Sequence, residues 1–259
     1  MKFIKLFGHL IGILFLTVLT QVGGLLWIAS LLISVKLKKK KRFVFPLMYL
    51  FFNLLIIPPL AKYFGREQLP VFYDNLKPRN LVYPLLFRNY VSAGLKDVLE
   101  KSSKNLKQHN ILITYLDANF PFFNGFPLLP HLSHNDGKKI DISFMYLNQE
   151  GKSTNKKPSI SGYGAFVNSE NVTSNNCIKK GYWQYDFTKY LTFGTINDLE
   201  LDKTKTKLLI QELLSHSQSQ KLFIEPYLKQ ELDLNNETKI RFHGCKAVRH
   251  DDHIHFQIK

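Results

Sequence analysis

Histidine marks the chemistry of this 259-residue chain. There are nine histidines, and four of them, His243, His250, His253 and His255, lie within the last seventeen residues. The string His250-Asp251-Asp252-His253-Ile254-His255 alternates as a strand would, and on a strand side chains two apart point the same way. His253 and His255 therefore project from one face, with Ile254 and Phe256 behind them. Asp251 or Asp252 is placed to orient an imidazole through its second nitrogen. A second cluster is Ser133-His134-Asn135-Asp136-Gly137-Lys138-Lys139-Ile140-Asp141. Asp136-Gly137 is a turn signal, and a turn there folds His134 back toward Asp141. Two imidazoles and one carboxylate suit a tetrahedral zinc whose fourth position stays open for water. Such a site brings the pKa of that water to ~7 and polarises a scissile carbonyl. Periodicity alone leaves His253 and His255 equivalent as the third ligand. Read in isolation, the terminal His-x-His also suits a copper- or nickel-binding tail. His9, His109, His216 and His243 read as structural or exposed, and His131 as a residue lining the site.

The elements that must carry these residues are legible in outline. Ile140 to Tyr146 alternates, placing Ile140, Ile142, Phe144 and Tyr146 on one face and Asp141, Ser143 and Met145 on the other. Residues 91–108 and 201–217 have the apolar spacing of helices. Ile111 to Leu116 and Leu222 to Glu225 read as strands, and Tyr227 to Leu232 as a short helix. Residues 148–160 and 168–180 are rich in Asn, Ser, Lys and Gly and read as loops. No regular alternation of strand and helix runs through the chain, so an α+β domain with an antiparallel sheet is expected.

The N-terminal part has a different composition. No Asp, Glu, Lys or Arg occurs from Gly8 to Val35. That stretch is longer than the ~20 residues of a spanning helix, and it reads as one tilted helix bent at Gly23-Gly24. A cleaved signal peptide is the competing reading, against which the apolar run is too long. A second apolar run, Phe43 to Ala61, ends at Pro58-Pro59. Between the two runs lie Lys36, Lys38, Lys39, Lys40, Lys41 and Arg42. Short basic loops stay in the cytoplasm, so both termini are expected outside, with residues from about 65 onward extracytoplasmic. The expected organisation is a two-helix anchor over residues 1–64, a neck over 65–90 and a catalytic domain over 91–259. The formal charge of +15 is accounted for by this block and by scattered lysines. Without an arginine-rich helix, nucleic acid is not an expected partner. Two cysteines, Cys177 and Cys245, without a C-x-x-C pair, do not make the pattern of a thiolate metal site, and sequence leaves their pairing open.

The motif His134-x-x-Gly137-x-x-x-Asp141, followed far downstream by His253-x-His255, resembles the signature of the D-Ala-D-Ala peptidase and hedgehog zinc superfamily. Ser133, His134, Gly137, Asp141 and Ile142, with His250, His253 and His255, look most like the penicillin-insensitive murein endopeptidases. The resemblance spans roughly residues 90–259, and its specific content sits in those two motifs. It implies an α+β, antiparallel-sheet zinc peptidase domain in which His134, Asp141 and His255 bind Zn2+. It further implies His250 as general base, and His253 as the residue that polarises the site and stabilises the oxyanion. The function expected is that of a zinc metallopeptidase hydrolysing peptide cross-links of peptidoglycan, outside the cytoplasmic membrane. Two alternatives share the fold: a non-catalytic zinc-binding module, and a D,D- or L,D-carboxypeptidase. Arg88 and Arg249 are the candidates for gripping a substrate carboxylate. The two spans and the two cysteines depart from the family's soluble, disulfide-rich members.

Overall fold

The computed structural model describes residues 2–168, 171–194 and 197–259. The chain divides into two compact units, the first made of Met1–Leu69, Val82–Ala93 and Ala118–Gly137 and the second of Pro70–Leu81, Gly94–Asp117 and Lys138–Lys259. Residues 65–90, expected as a neck, are thus divided between them.

The first unit begins with helices α1 (Lys2–Thr20), α2 (Gly23–Lys36), α3 (Lys41–Phe51) and α4 (Ile57–Tyr63). A π-helical stretch, Phe52–Ile56, joins the last two. Pro58 and Pro59 have no N–H to offer the carbonyls one turn back, which accounts for a widened register there. Two helices are long and apolar enough to cross a membrane, Phe3–Thr20 and Lys41–Tyr63. The single bent helix expected over 8–35 is not formed. The chain breaks at Gln21, whose φ is +66°, and turns back. In one continuous helix His9 and Trp27 would lie about 27 Å apart, whereas the Trp27 indole donates to His9 Nδ1 at 3.3 Å. The two glycines serve this reversal. A Cβ on Gly24 would fall 2.0 Å from Thr17 Oγ1 and 2.6 Å from the Ile13 carbonyl oxygen, so Gly24 marks the close approach of α1 and α2. Sequence missed the break because a uniformly apolar run has no phase that records where a helix stops.

The core of this unit joins the helices to the later segments. Val22, Leu26, Ile57 and Ala61 pack with Phe87, Tyr90, Phe120, Phe122 and Leu128. Hydrophobic contact of this kind stabilises by roughly 25 cal/mol per Å² buried. A two-residue ladder, Glu67–Gln68 with Tyr90–Val91, adds backbone pairing.

The second unit holds helices α5 (Ala93–Leu106), α6 (Val172–Lys179), α7 (Lys203–Ser215) and α8 (Pro226–Glu231). Its six-stranded sheet comprises β1 (Leu76–Pro78), β2 (Ile113–Tyr115), β3 (Lys139–Ser143), β4 (Ser219–Phe223), β5 (Ile240–Arg241) and β6 (His253–Ile258), in the order β5-β4-β6-β3-β2-β1. The four inner strands are antiparallel, while β5 and β1 join the edges in parallel. The sheet is therefore mixed, not wholly antiparallel as expected. β1 comes from the presumed neck and returns to the sheet as β2 only after a long crossover, which is what a parallel pair requires. Ile140, Ile142, Ile254 and Phe256 are fully buried, and α5 and α7 contribute Leu95, Val98, Leu99, Leu209 and Leu213 to the core.

α6 occupies a stretch read as loop. Its apolar residues Val172 and Ile178 are exposed, so no core-facing stripe announces it. Other contacts hold it instead. The Asn171 side chain caps it by accepting from Ser174 N at 2.9 Å, and Cys177 is disulfide-bonded to Cys245.

Candidate metal centre

Strand register builds one half of the site. In the β3–β6 ladder Asp141 stands directly opposite His255, and Ser143 opposite His253. Cross-strand partners share a face, so Asp141, His253 and His255 line one surface, as the alternation predicts. The Asp141 backbone is fixed at both its groups, its N–H donating to Asp117 O and its carbonyl accepting from Leu116 N, each at 2.8 Å. Its carboxylate is divided in use. Oδ2 accepts from the Tyr163 hydroxyl at 2.8 Å. Oδ1 lies 2.9 Å from His255 Nδ1 and 3.7 Å from His253 Nε2. Oδ1 is thus the atom on which the imidazoles converge.

A loop delivers the remaining imidazole. His134 is buried, and its Nδ1 lies 2.8 Å from the Ala118 carbonyl oxygen. A carbonyl accepts only, so Nδ1 carries the proton and Nε2 keeps the lone pair for a metal. The His134 N–H donates to His131 O at 2.9 Å, and the two rings lie 5.6 Å apart. Gly137 has φ +78°, the left-handed turn that Asp136-Gly137 predicts. One ligand atom from each of His134, Asp141 and His255 lies within 4.8 Å of the others, and all three residues are buried. This group could hold a metal ion. Its donors, two imidazoles and one carboxylate, match an open zinc site. The hydroxyl on Asp141 and the carbonyl on His134 are the outer hydrogen bonds that such ligands use.

Two further imidazoles border the group, and their pKa values are shifted in opposite directions. His253 places Nδ1 on the Asp252 carboxylate, whose other oxygen accepts from Gly164 N at 2.5 Å. Burial opposes a charge on His253, but Asp252 and Asp141 outweigh it and lift its pKa to about 9. His250 is held well below the ordinary imidazole value, first by burial and then by its neighbours His253 and His255. Its ring lies 4.9 Å from that of His253 and 5.7 Å from that of His255. Buried Glu225 fixes the His250 backbone, accepting its N–H at 3.1 Å. The two imidazoles are thus shifted in opposite directions, the separation that marks acid and base partners.

All five residues singled out from sequence therefore lie in this site or border it, but neither candidate for a carboxylate grip does. Arg249 is fully buried and donates to Asp251, Asp186, Ser174 and the Asn168 carbonyl, an internal ion cluster with nothing left for a ligand. Arg88 donates to the Leu129 carbonyl. His243, read as structural or exposed, is exposed and stands at the rim of the cluster, 4.4 Å from the Phe223 ring and 5.6 Å from His250. Tyr163 is not among the residues that the sequence singles out, because Ser161-Gly162-Tyr163-Gly164 carries no periodic pattern. An aromatic residue between two glycines was the one available signal.

No protein-family model matches this chain, and no curated protein does.

Proposed function

We propose that the chain is a membrane-anchored zinc peptidase acting on peptide cross-links of peptidoglycan. The observation that carries this reading is the buried group His134, Asp141 and His255 with the His250 and His253 imidazoles beside it. A bound zinc would act as Lewis acid toward a scissile carbonyl and would acidify water at its open position. The chain's own residues supply the rest. Neutral His250 accepts the proton of the attacking water, a contribution of typically 10²–10⁴-fold. His253, held by Asp252, donates toward the negative charge that develops on the carbonyl oxygen. Tyr163 and the Ala118 carbonyl keep Asp141 and His134 in the orientation that binding needs. The motif resemblance and the anchor together select the cell wall as substrate. The assay is incubation of the zinc-loaded, full-length protein with cross-linked muropeptides. Cleavage is expected, with His250→Ala retaining zinc while losing at least about 100-fold in turnover. Wild-type protein that holds zinc and leaves the muropeptides intact would refute the activity.

The same reading places the second unit outside the cytoplasmic membrane. Lys41 Nζ lies 3.2 Å from His9 Nε2, so the N-terminal part of α1 and the basic block share one end of the helical unit. The positive-inside rule then puts both in the cytoplasm. This replaces the external N-terminus expected from a single first helix. The Cys177–Cys245 disulfide suits an oxidising compartment. In intact cells Lys5→Cys should resist an impermeant maleimide and exposed Lys152→Cys should react; the reverse labelling would invert the topology.

A further inference from the structure

The loop that carries His134 is built on the helices of the anchor. Phe120, Phe122 and Leu128 share a core with Val22, Leu26, Ile57 and Ala61. The Gln21 side chain, at the break between α1 and α2, accepts the Phe122 N–H through Oε1 at 2.9 Å. The Phe64 ring, just past α4, lies 5.3 Å from Phe122 and 6.2 Å from Phe123.

The strongest tie is Arg66. It follows α4 by three residues and is only 5% exposed. Its Nη1 donates to the Asp136 carbonyl oxygen at 2.6 Å, and its Nη2 to Asn124 Oδ1 at 2.5 Å. These two acceptors lie on either side of His134 in the chain, so one guanidinium closes the loop across its ligand. The fork geometry suits arginine, which presents fixed parallel donors. Gly137 makes room for it. A Cβ at Gly137 would lie 2.0 Å from Nη1 and 2.5 Å from Cζ of Arg66. The glycine of the His134-x-x-Gly137 motif thus has two tasks, a left-handed turn and an open place for the guanidinium. Burying a charged side chain is costly unless it is hydrogen-bonded, and here the two bonds tie Arg66 to the Asp136 backbone on one side of His134 and to the Asn124 side chain on the other.

We propose that Arg66 is a positioning residue for the first metal ligand, so that the membrane anchor is a structural part of the metal centre and not only its tether. The inference rests on the metal-site reading given above. It predicts that metal affinity responds to contacts made at the end of α4, away from every ligand and every reacting atom.

The experiment uses full-length protein in detergent micelles and measures zinc affinity by competition with a chromophoric chelator. Arg66→Met should weaken zinc about tenfold or more, as loss of an outer support to a ligand does. Arg66→Lys, which keeps a donor for the Asp136 carbonyl, should recover part of that loss. Asn124→Ala removes one acceptor with little risk to folding and should weaken zinc a few-fold. It decides the matter if Arg66→Met does not fold. Wild-type affinity in folded Arg66→Met, or in Asn124→Ala where only that variant folds, would overturn the proposal. His134→Ala separates the two ideas. If it keeps wild-type affinity, the metal-site reading itself fails. If it loses zinc while the Arg66 and Asn124 variants do not, only the anchor's role fails.

Discussion

The ligands of the candidate centre come from two kinds of scaffold. Asp141 and His255 stand opposite each other on adjacent inner strands, and the ladder that pairs β3 with β6 fixes both backbones. His134 sits in a loop with no ladder of its own. Its position depends on side chains reached from elsewhere in the chain: Arg66 on the Asp136 carbonyl, Asn119 on the Gly137 N–H, and Gln21 on the Phe122 N–H. Register places ligands by repeating one backbone bond, whereas a loop must be placed contact by contact. The strand-borne pair should therefore tolerate loss of a single outer contact, and the loop-borne ligand should feel it.

The largest effect expected comes from removing the strand-borne carboxylate. Asp141→Asn keeps the shape and still offers an oxygen to Tyr163, but it loses the charge. Metal affinity should fall by more than about 100-fold, because loss of a ligand exceeds the roughly 10–100-fold that outer partners are worth. The measurement is chelator competition on folded protein. An unchanged affinity would mean that the C-terminal histidines bind metal by themselves, and the comparison between strand and loop would have no object.

A smaller effect tests how the strand half is pegged. Lys157 is buried at 1% exposure, and its Nζ donates to the Phe144 carbonyl, just past β3, at 2.7 Å. Burial, and next the charge of Arg79, lower its pKa from 10.5 to about 7. The folded protein therefore binds fewer protons at this amine than the unfolded chain does between pH 7 and 10.5. Stability must rise with pH across that window, by up to about 1.4 kcal/mol per unit from this one group. Below pH 7 the full cost of burying the amine is present. Thermal unfolding at pH 7 and pH 9 should show the rise in wild type and a flatter response in Lys157→Met. Equal slopes in the two proteins would show that the amine does not titrate in this window.

The two scaffolds also differ in how far they can be read from sequence. The period of two in His253-Ile254-His255 and in Ile140 to Ser143 marks which side chains share a face, because pleating leaves no other choice. α5 and α7 are equally plain, since Leu95, Val98 and Leu99, and Leu209 and Leu213, recur at helical spacing. The Asp136-Gly137 turn is legible too, because few residues tolerate its backbone. Arg66, Asn124, Gln21 and Tyr163 are not legible. Each acts across 58 residues (Arg66 to Asn124), 101 (Gln21 to Phe122) or 22 (Tyr163 to Asp141), and no local pattern encodes such a contact. The break at Gln21 is hidden for a different reason, as apolar residues on both sides satisfy one long helix or two short ones. His243 was passed over because its neighbours suggest no strand, yet the turn after β5 brings it to the cluster.

The smallest effect expected is also the sharpest test of the comparison. The Tyr163 hydroxyl accepts from Asp117 N at 3.1 Å and donates to Asp141 Oδ2 at 2.8 Å. Tyr163→Phe removes both bonds while keeping the ring that meets His253 edge-on at 5.0 Å. The Asp141 backbone stays fixed by β3, so zinc affinity should fall by no more than about two-fold, less than the few-fold expected of Asn124→Ala and below the roughly 10–100-fold that outer partners are typically worth. Combined with Asn124→Ala, the variant completes a double-mutant cycle with one member on each scaffold. If the strand and the loop hold their ligands independently, the two losses add within about 0.5 kcal/mol, as distant and uncoupled sites do. A coupling energy above about 1 kcal/mol would mean that Asp141 and His134 are positioned as one unit. In that case the ladder and the arginine clamp are not separate devices, and a change at the end of the anchor would be felt at the strand-borne carboxylate as directly as at the loop.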